Sequence, residues 1–267
     1  MKTIMITGAS SGLGKATAQL FHSKGWRVIA TMRHPEKENE LTKLKNVILL
    51  PLDISNAQQI TETTKQITDQ YSIDVVLNNA GYGLVAPLEA LTDDQIVKQL
   101  NTNLLGVIRV TQAFIAHFRM KKSGMFINIT STFGLMGFPT CSIYSATKFA
   151  VDGFSESLAI ELAQFGIQVK VIAPGGIQTD FASRSMESAQ HDAYEKLVTA
   201  VSKGYSAEQV ANYSKVEDIA QVVFEAANDG TGQFRYIAGR DALELIAQRT
   251  SKGAEAQVQE LKSAFAF

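Results

Sequence analysis

The sequence predicts an α/β fold, a doubly wound parallel sheet of about seven strands with helices on both faces. Two observations predict it. Short β-rich apolar runs alternate with longer helical patterns, as they do when parallel strands are joined by crossover helices. Several of the runs are apolar almost throughout, among them Val47-Ile48-Leu49-Leu50 and Val169-Lys170-Val171-Ile172. Strands covered by helices on both faces read this way, because neither side of the pleat meets water.

Taken in order, the expected strands are 2–6, 26–31, 47–51, 73–77, 125–130, 168–173 and 235–238. Helix starts are marked by capping boxes, in which a hydroxyl and an amide or carboxylate three residues on satisfy free N–H groups. Ser55-x-x-Gln58, Thr92-x-x-Gln95 and Ser214-x-x-Glu217 fit. Between 104 and 118 a helix is expected with Leu104, Ile108, Ile115 and Phe118 on its apolar face and Thr111 as the one gap. Region 176–213 is less regular, rich in Ser, Gln, Glu and Met, and interrupts the alternation between the sixth and seventh strands. A long insertion after a strand's carboxyl end is where such a sheet builds its ligand site. No repeat, low-complexity tract or linker divides the chain, so residues 1–267 are expected to form one domain.

Composition narrows the function. Of 267 residues, 45% are hydrophobic and 19% charged, and the net charge of −1 leaves no electrostatic footprint for nucleic acid or an anionic membrane. No apolar stretch approaches the ~20 residues of a membrane span. Met1–Ile6 lacks the apolar region and small-residue cleavage site of an export signal, so a cytoplasmic protein is expected. Cys141 is the one cysteine, which excludes an internal disulfide, and His22, His34, His117 and His191 are scattered without ligand spacing. No metal site is expected.

Two constellations carry chemistry. Thr7-Gly8-Ala9-Ser10-Ser11-Gly12-Leu13-Gly14 follows the first strand and opens a helix. Glycines let the backbone turn tightly and approach a pyrophosphate, whose charge the helix start stabilises. The spacing is G-x3-G-x-G, and glycines of this kind also shape plain strand-to-helix turns. The second constellation is Ser131 with Tyr144 and Lys148. Four residues apart on a helix, the tyrosine and lysine share a face. An ammonium lowers the cost of ionising a phenol whose ordinary pKa is ~10, and a serine hydroxyl can hold the reacting oxygen. Tyr and Lys at this spacing also occur on ordinary helix surfaces, and it is the glycine turn in the same chain that favours the chemical reading.

These residues, together with Asn78-Asn79-Ala80-Gly81, Asn103 and Pro174-Gly175, resemble the short-chain dehydrogenases/reductases in order and context. The resemblance is strong over about residues 1–180 and implies a Rossmann-type sheet. It implies that Ser131, Tyr144 and Lys148 are catalytic and that Asn103 supports a water-linked proton relay to the lysine. For the dinucleotide it implies Gly8, Ser10, Ser11, Gly12, Leu13 and Gly14 along the turn. It adds Asp53 and Ile54 at the adenine, Asn79, Ala80 and Gly81 lining the cleft, and Tyr144 and Lys148 at the nicotinamide end. Pro174, Gly175, Ile177 and Thr179 would hold the carboxamide. Asp53 could instead only precede the Ser55 cap, and Thr179 could simply start the insertion. Cys141 reads as pocket lining rather than nucleophile.

The second strand ends Ala30-Thr31-Met32-Arg33. A cofactor without a 2′-phosphate calls for Asp or Glu there. Met32 occupies that position, and Arg33 offers a planar cation suited to phosphate, so NADP(H) is expected over NAD(H). Arg33 could equally be a solvated loop residue. Tyr82, Phe133, Leu135, Phe138 and Phe181 are candidate pocket residues, although some could be core. They point to a mainly hydrophobic carbonyl substrate, and the cofactor preference points to reduction.

The layout is closest to the hydroxysteroid and retinol dehydrogenase-like members. Alternatives are an NAD-linked alcohol or hydroxysteroid dehydrogenase working oxidatively, a nucleotide-sensing regulator, which would not need Tyr144 and Lys148, and a sugar-nucleotide epimerase or dehydratase. The resemblance also implies a homodimer or homotetramer paired through helices at roughly 101–120 and 143–165. Ala146, Ala150, Gly153 and Ser157 would allow close approach there, unless they pack on the sheet.

Overall fold

The computed structural model describes residues 1–266. Seven parallel strands form the central sheet: β1 (Thr3–Thr7), β2 (Arg27–Met32), β3 (Val47–Pro51), β4 (Val75–Asn78), β5 (Gly124–Ile129), β6 (Ile167–Pro174) and β7 (Arg235–Ala238). Their spatial order is β7-β6-β5-β4-β1-β2-β3. The chain builds outward from β1 in one direction and then, from β4, in the other. A crevice therefore opens at the carboxyl ends of β1 and β4, the place where a Rossmann-type sheet binds its ligand.

Side-chain alternation explains the apolar runs. Ile4 and Ile6 of β1 point into one core and Met5 into the other. On the first face Phe21 of α1 (Gly12–Ser23) packs with Ile219 and Val223, which lie on the helix that follows the insertion. On the second, Ile60 and Ile67 of α2 (Ala57–Gln70) share a core with Phe114 and Phe118 of α4 (Gly106–Lys121) and Leu158 and Leu162 of α5 (Ser142–Ala163), and α3 (Asp93–Leu100) packs against α5. The later helices are α6 (Val216–Ala226), α7 (Arg240–Lys252) and α8 (Ala254–Ala264). Among the described residues no helix is long and apolar enough to cross a membrane.

Strand edges fall within two residues of expectation, and β3 and β7 coincide with it. β4 starts at Val75 rather than 73 because the Ile73 N–H is taken by His117 Nε2 at 3.1 Å. Helix starts were less legible. Thr92 and Gln95 form the expected capping box on α3. α2, however, is capped by Asn56, which accepts the Gln59 N–H at 3.0 Å, while the Ser55 hydroxyl donates to Asp53 Oδ1 at 2.7 Å. α6 starts after Lys215 without a side-chain cap, since Ser214 is drawn into strand pairing with Ile177.

The face of α4 is also corrected. Its buried residues are Val107, Val110, Thr111, Phe114 and Phe118, because Phe118 docks edge-on against Phe126 of β5 with centroids 4.9 Å apart. Leu104, Ile108 and Ile115 lie half-buried beside them. Thr111 is no gap. Its hydroxyl accepts from buried Asn78 Nδ2 at 3.0 Å, and the same amide reaches Asn128 Oδ1 at 2.8 Å. The Asn78 amide N–H groups are thus satisfied at the inner ends of β4 and β5, while its Oδ1 has no hydrogen-bond partner among the described residues.

Region 176–213 folds into short helices Phe181–Arg184, Glu195–Ser202 and Ala207–Ala211. It is fastened by two small parallel ribbons. Ile177–Gln178 pairs with Ser214–Lys215, and Met186–Ser188 pairs with Gly83–Val85 in the loop after β4. The insertion therefore lies over the carboxyl edge of the sheet.

Candidate active site

The turn after β1 has no room for a side chain at Gly8 or Gly14. Gly8 and Gly12 hold φ of 67° and 51°, a region that favours glycine. A Cβ on Gly14 would lie 2.3 Å from the Gly8 carbonyl oxygen and 2.5 Å from Asn79 Nδ2, and one on Gly8 would lie 2.8 Å from Ala80 Cα. Thr7 explains this closeness. Its hydroxyl accepts the N–H groups of Asn79 and Ala80, each at 3.0 Å. Asn79 Nδ2 returns bonds to the carbonyls of Thr7 and Gly8 at 3.0 and 3.1 Å.

Ser11 stands at the N-cap of α1 in extended conformation, and its hydroxyl caps nothing. No acidic residue lies in the first turn. The positive end of the helix therefore faces the crevice with free N–H groups, beside exposed Ser10 and half-buried Ser11. Leu13 turns its side chain into the core, so it can offer the crevice only its main chain. A cradle that any Cβ would fill, at an uncapped helix start, fits a pyrophosphate.

Asp53 is half-buried after β3, with Oδ1 accepting the N–H and hydroxyl of Ser55. Ile54 is buried against Gly106, where a Cβ would come within 2.8 Å of its Cδ1. Met32 is also buried, so the last residue of β2 presents no side chain to the crevice. Arg33 is exposed and has no ion-pair partner among the described residues. A carboxylate lies further along this loop: Glu38 accepts the N–H groups of Glu40 and Leu41 and pairs with Lys15 at 3.3 Å. Burial pushes its pKa up, but the Leu41 and Glu40 N–H groups and Lys15 outweigh that and hold it below the ordinary value.

Ser131 ends β5 and heads the turn Thr132–Gly134, its hydroxyl accepting the Phe133 N–H at 3.1 Å. The phenol of Tyr144, in the first turn of α5, lies within electrostatic reach of the same hydroxyl. One turn on, Lys148 is buried, donates to the Ile129 carbonyl at 2.9 Å and stands 5.7 Å from the Tyr144 ring centroid. Burial moves the two groups in opposite directions, the phenol up to about 12 and the ammonium down to about 8. Both shifts favour neutral forms. The structure thus brings Ser131, Tyr144 and Lys148 together. Asn103 is fully buried in a π-helical turn, Asn101–Leu105, between α3 and α4. Its amide clamps the backbone of Tyr82, accepting N–H at 3.0 Å and donating to C=O at 2.8 Å.

The loop after β6 closes the other side. The Pro174 carbonyl accepts from Thr132 Oγ1 at 2.9 Å, and the Gly175 N–H donates to Ala238 C=O at 3.0 Å. Ile177 is fixed by the ribbon with Ser214. The Thr179 methyl reaches the glycine turn, 3.8 Å from where a Cβ of Gly12 would stand. Phe133 and Phe138 stack at 4.8 Å, and Phe265 meets Phe138 edge-on at 5.6 Å. Phe181 lies against Gly83, Leu135 is half-buried, and the buried Tyr82 hydroxyl has no hydrogen-bond partner among the described residues.

Sequence reasoning missed three contributors. Asp241 accepts the Gly176 N–H at 2.7 Å and sits where a Gly175 Cβ would be, so it shapes the loop after β6. Phe265 extends the aromatic wall from far along the chain. Tyr205, in the insertion, comes within electrostatic reach of Cys141, whose thiol burial pushes up to about 11. An acid just past the last strand was a readable signal for Asp241. The other two left none.

Comparison with known proteins agrees with this geometry. A family model described as short chain dehydrogenase matches residues 2–190. An oxidoreductase of Botryotinia fuckeliana is 36% identical over 255 residues, covering 92% of each chain. A short-chain dehydrogenase structure from Streptomyces avermitilis superposes with a TM-score of 0.87 at 28% identity, over 99% of this chain and 98% of that one. The structure of ElxO with NADP bound gives 0.74 at 28% identity, over 88% and 97%.

The glycine turn yields a direct expectation. Gly14→Ala forces the turn away from Asn79 and should weaken dinucleotide binding at least ~10-fold, with stability falling by about 1–3 kcal/mol. Titration by fluorescence and a thermal melt check both, and unchanged affinity would show that the turn does not carry the ligand.

Proposed function

The chain belongs to the short chain dehydrogenase family, and on that premise we propose that it is an NADP(H)-dependent reductase acting on a mainly hydrophobic carbonyl compound. The observation that carries the reading is Tyr144, within electrostatic reach of the Ser131 hydroxyl and one turn from buried Lys148, whose ammonium stands 5.7 Å from its ring centroid. Ser131 holds the substrate oxygen and Tyr144 gives it a proton. The phenol is protonated at neutral pH, the form with which reduction begins, and burial raises its pKa further. Lys148, when charged, stabilises the phenolate left behind. Asn103 acts on position, since it fixes Tyr82 and the end of the β4 loop against α4.

The cofactor, when bound, supplies the hydride. Gly8, Ser10, Ser11, Gly12, Leu13 and Gly14 would hold its pyrophosphate, Asp53 and Ile54 its adenine, and Asn79, Ala80 and Gly81 the wall between. Lys148 and Tyr144 would meet the nicotinamide ribose, and Pro174, Gly175, Ile177 and Thr179 the carboxamide. NADP(H) is favoured because Met32 is buried, no carboxylate ends β2, and exposed Arg33 has no ion-pair partner among the described residues. ElxO, a relative by structure, holds NADP. The stack of Phe133 and Phe138 beside Ser131 supports an apolar substrate.

A homo-oligomer and a cytoplasmic location belong to the same reading. Ala146, Gly153 and Ser157 are exposed on α5, away from the sheet, and a Cβ on Gly153 would meet nothing within 4 Å. Ile160 on the same helix is 76% exposed. Light scattering should report a dimer or larger assembly, and a monomer at working concentrations would reject it.

Consumption of NADPH with a panel of aldehydes and ketones tests the activity. Tyr144→Phe should lower kcat at least ~100-fold while NADPH still binds. Turnover that survives the substitution would remove Tyr144 from the mechanism. For the cofactor, Arg33→Ala should weaken NADPH about tenfold and leave NADH nearly unchanged, and equal losses for both would reject the assignment.

A further inference from the structure

The loop after β6 is gripped from two sides. The Gly175 N–H donates to Ala238 C=O at 3.0 Å, which ties the start of the loop to the end of β7. Gly176 then lies between a carboxylate and an aromatic ring. Asp241 Oδ2 accepts the Gly176 N–H at 2.7 Å, and a Cβ on Gly176 would collide with the Tyr213 ring. Tyr213 is itself held, because its Oη donates to the Gly204 carbonyl at 2.8 Å and its own carbonyl accepts from Gln178 Nε2 at 2.7 Å.

Asp241 does not serve its own helix by capping it. It stands in the first turn of α7, which has no side-chain cap. Gly239, with φ of 104°, turns the chain between β7 and α7, and the carboxylate is aimed back at the loop after β6. Its Oδ1 is buried without a hydrogen-bond partner among the described residues, in the space that a Gly175 Cβ would fill. A carboxylate oxygen left in this state is destabilising. Such a departure from good packing marks a position where loop geometry matters more than stability.

Building on the cofactor reading above, in which Pro174, Gly175, Ile177 and Thr179 hold the carboxamide, we propose that Asp241 is a positioning residue for the nicotinamide end of the dinucleotide. It fixes the Gly175–Gly176 backbone against β7, and so presents Ile177 and Thr179 to the carboxamide in one place. The other half of the ligand does not depend on it. The glycine turn is braced by Thr7 and Asn79, and Ile54 by Gly106.

The test separates the two halves of the ligand. Calorimetry on the full chain measures NADPH and 2′-phospho-ADP-ribose, the same dinucleotide without its nicotinamide. Asp241→Ala should weaken NADPH about tenfold and leave the fragment within about threefold. Retained fragment binding reports that the variant is folded. Equal losses of both ligands in a variant with an unchanged thermal melt, or no loss of either, would overturn the proposal. Asp241→Asn is the milder change and keeps an acceptor for the Gly176 N–H, so it should hold NADPH within about threefold of wild type. A loss there as large as with alanine would overturn the positioning role. Wild-type protein that bound neither ligand would reject the cofactor reading first, and this proposal with it. Wild-type protein that bound the fragment as tightly as NADPH would overturn the proposal alone, since the nicotinamide would then gain nothing from the loop that Asp241 holds.

Discussion

Two backbone segments, the turn after β1 and the end of β4, approach so closely that hydrogen is the largest substituent tolerated between them. Gly14 faces the Gly8 carbonyl, Gly8 faces Ala80, and the Thr7 hydroxyl holds the arrangement by taking two N–H groups at once. The contact propagates. Beyond Ala80, Gly81 sits within 3.1 Å, measured from an added Cβ, of the Asn103 amide, and Asn103 grips Tyr82. Gly106, at the start of α4, lies equally close to Ile54. The crevice floor is thus a run of close contacts to glycine backbone that leaves the α1 N-terminus free to face an anion.

Around that floor the chain accepts electrostatic cost. Lys148 is buried with one carbonyl as its hydrogen-bond partner, and its ammonium is correspondingly easy to deprotonate. Tyr144 is pushed the other way by the same burial. A fold optimised only for stability would have no use for this pair. It persists because β5 and α5 hold Ser131, Tyr144 and Lys148 on one strand–loop–helix unit, so that the strain is local.

How much of this was readable follows from how local each feature is. The glycine turn, Ser131 and the Tyr144–Lys148 pair were legible because backbone geometry or helical spacing dictates their residue types. Thr92 was legible as a cap for the same reason. Ser55 was not, since adjacent Asn56 is an equally good cap and took the role, freeing the serine to bond Asp53. Ser214 lost its cap to pairing with Ile177, far away in sequence. The true face of α4 depends on Phe126 in the sheet, and the aromatic wall on Phe265 near the far end of the chain. Contacts between distant segments leave no periodic trace along the sequence.

The insertion begins and ends at the same place. Ile177–Gln178 on its way out lies hydrogen-bonded beside Ser214–Lys215 on its return. A segment whose two ends are neighbours can be lengthened, shortened or exchanged at little entropic penalty to what it is attached to. Such an exchange would leave the seven strands and the β5–α5 unit in place, and would have to remake the ribbon with Gly83–Val85 and the contact of Thr179 with the glycine turn. Evolution, or an engineer, can treat the roof as a cassette, re-specifying what is recognised while the machinery beneath is inherited intact.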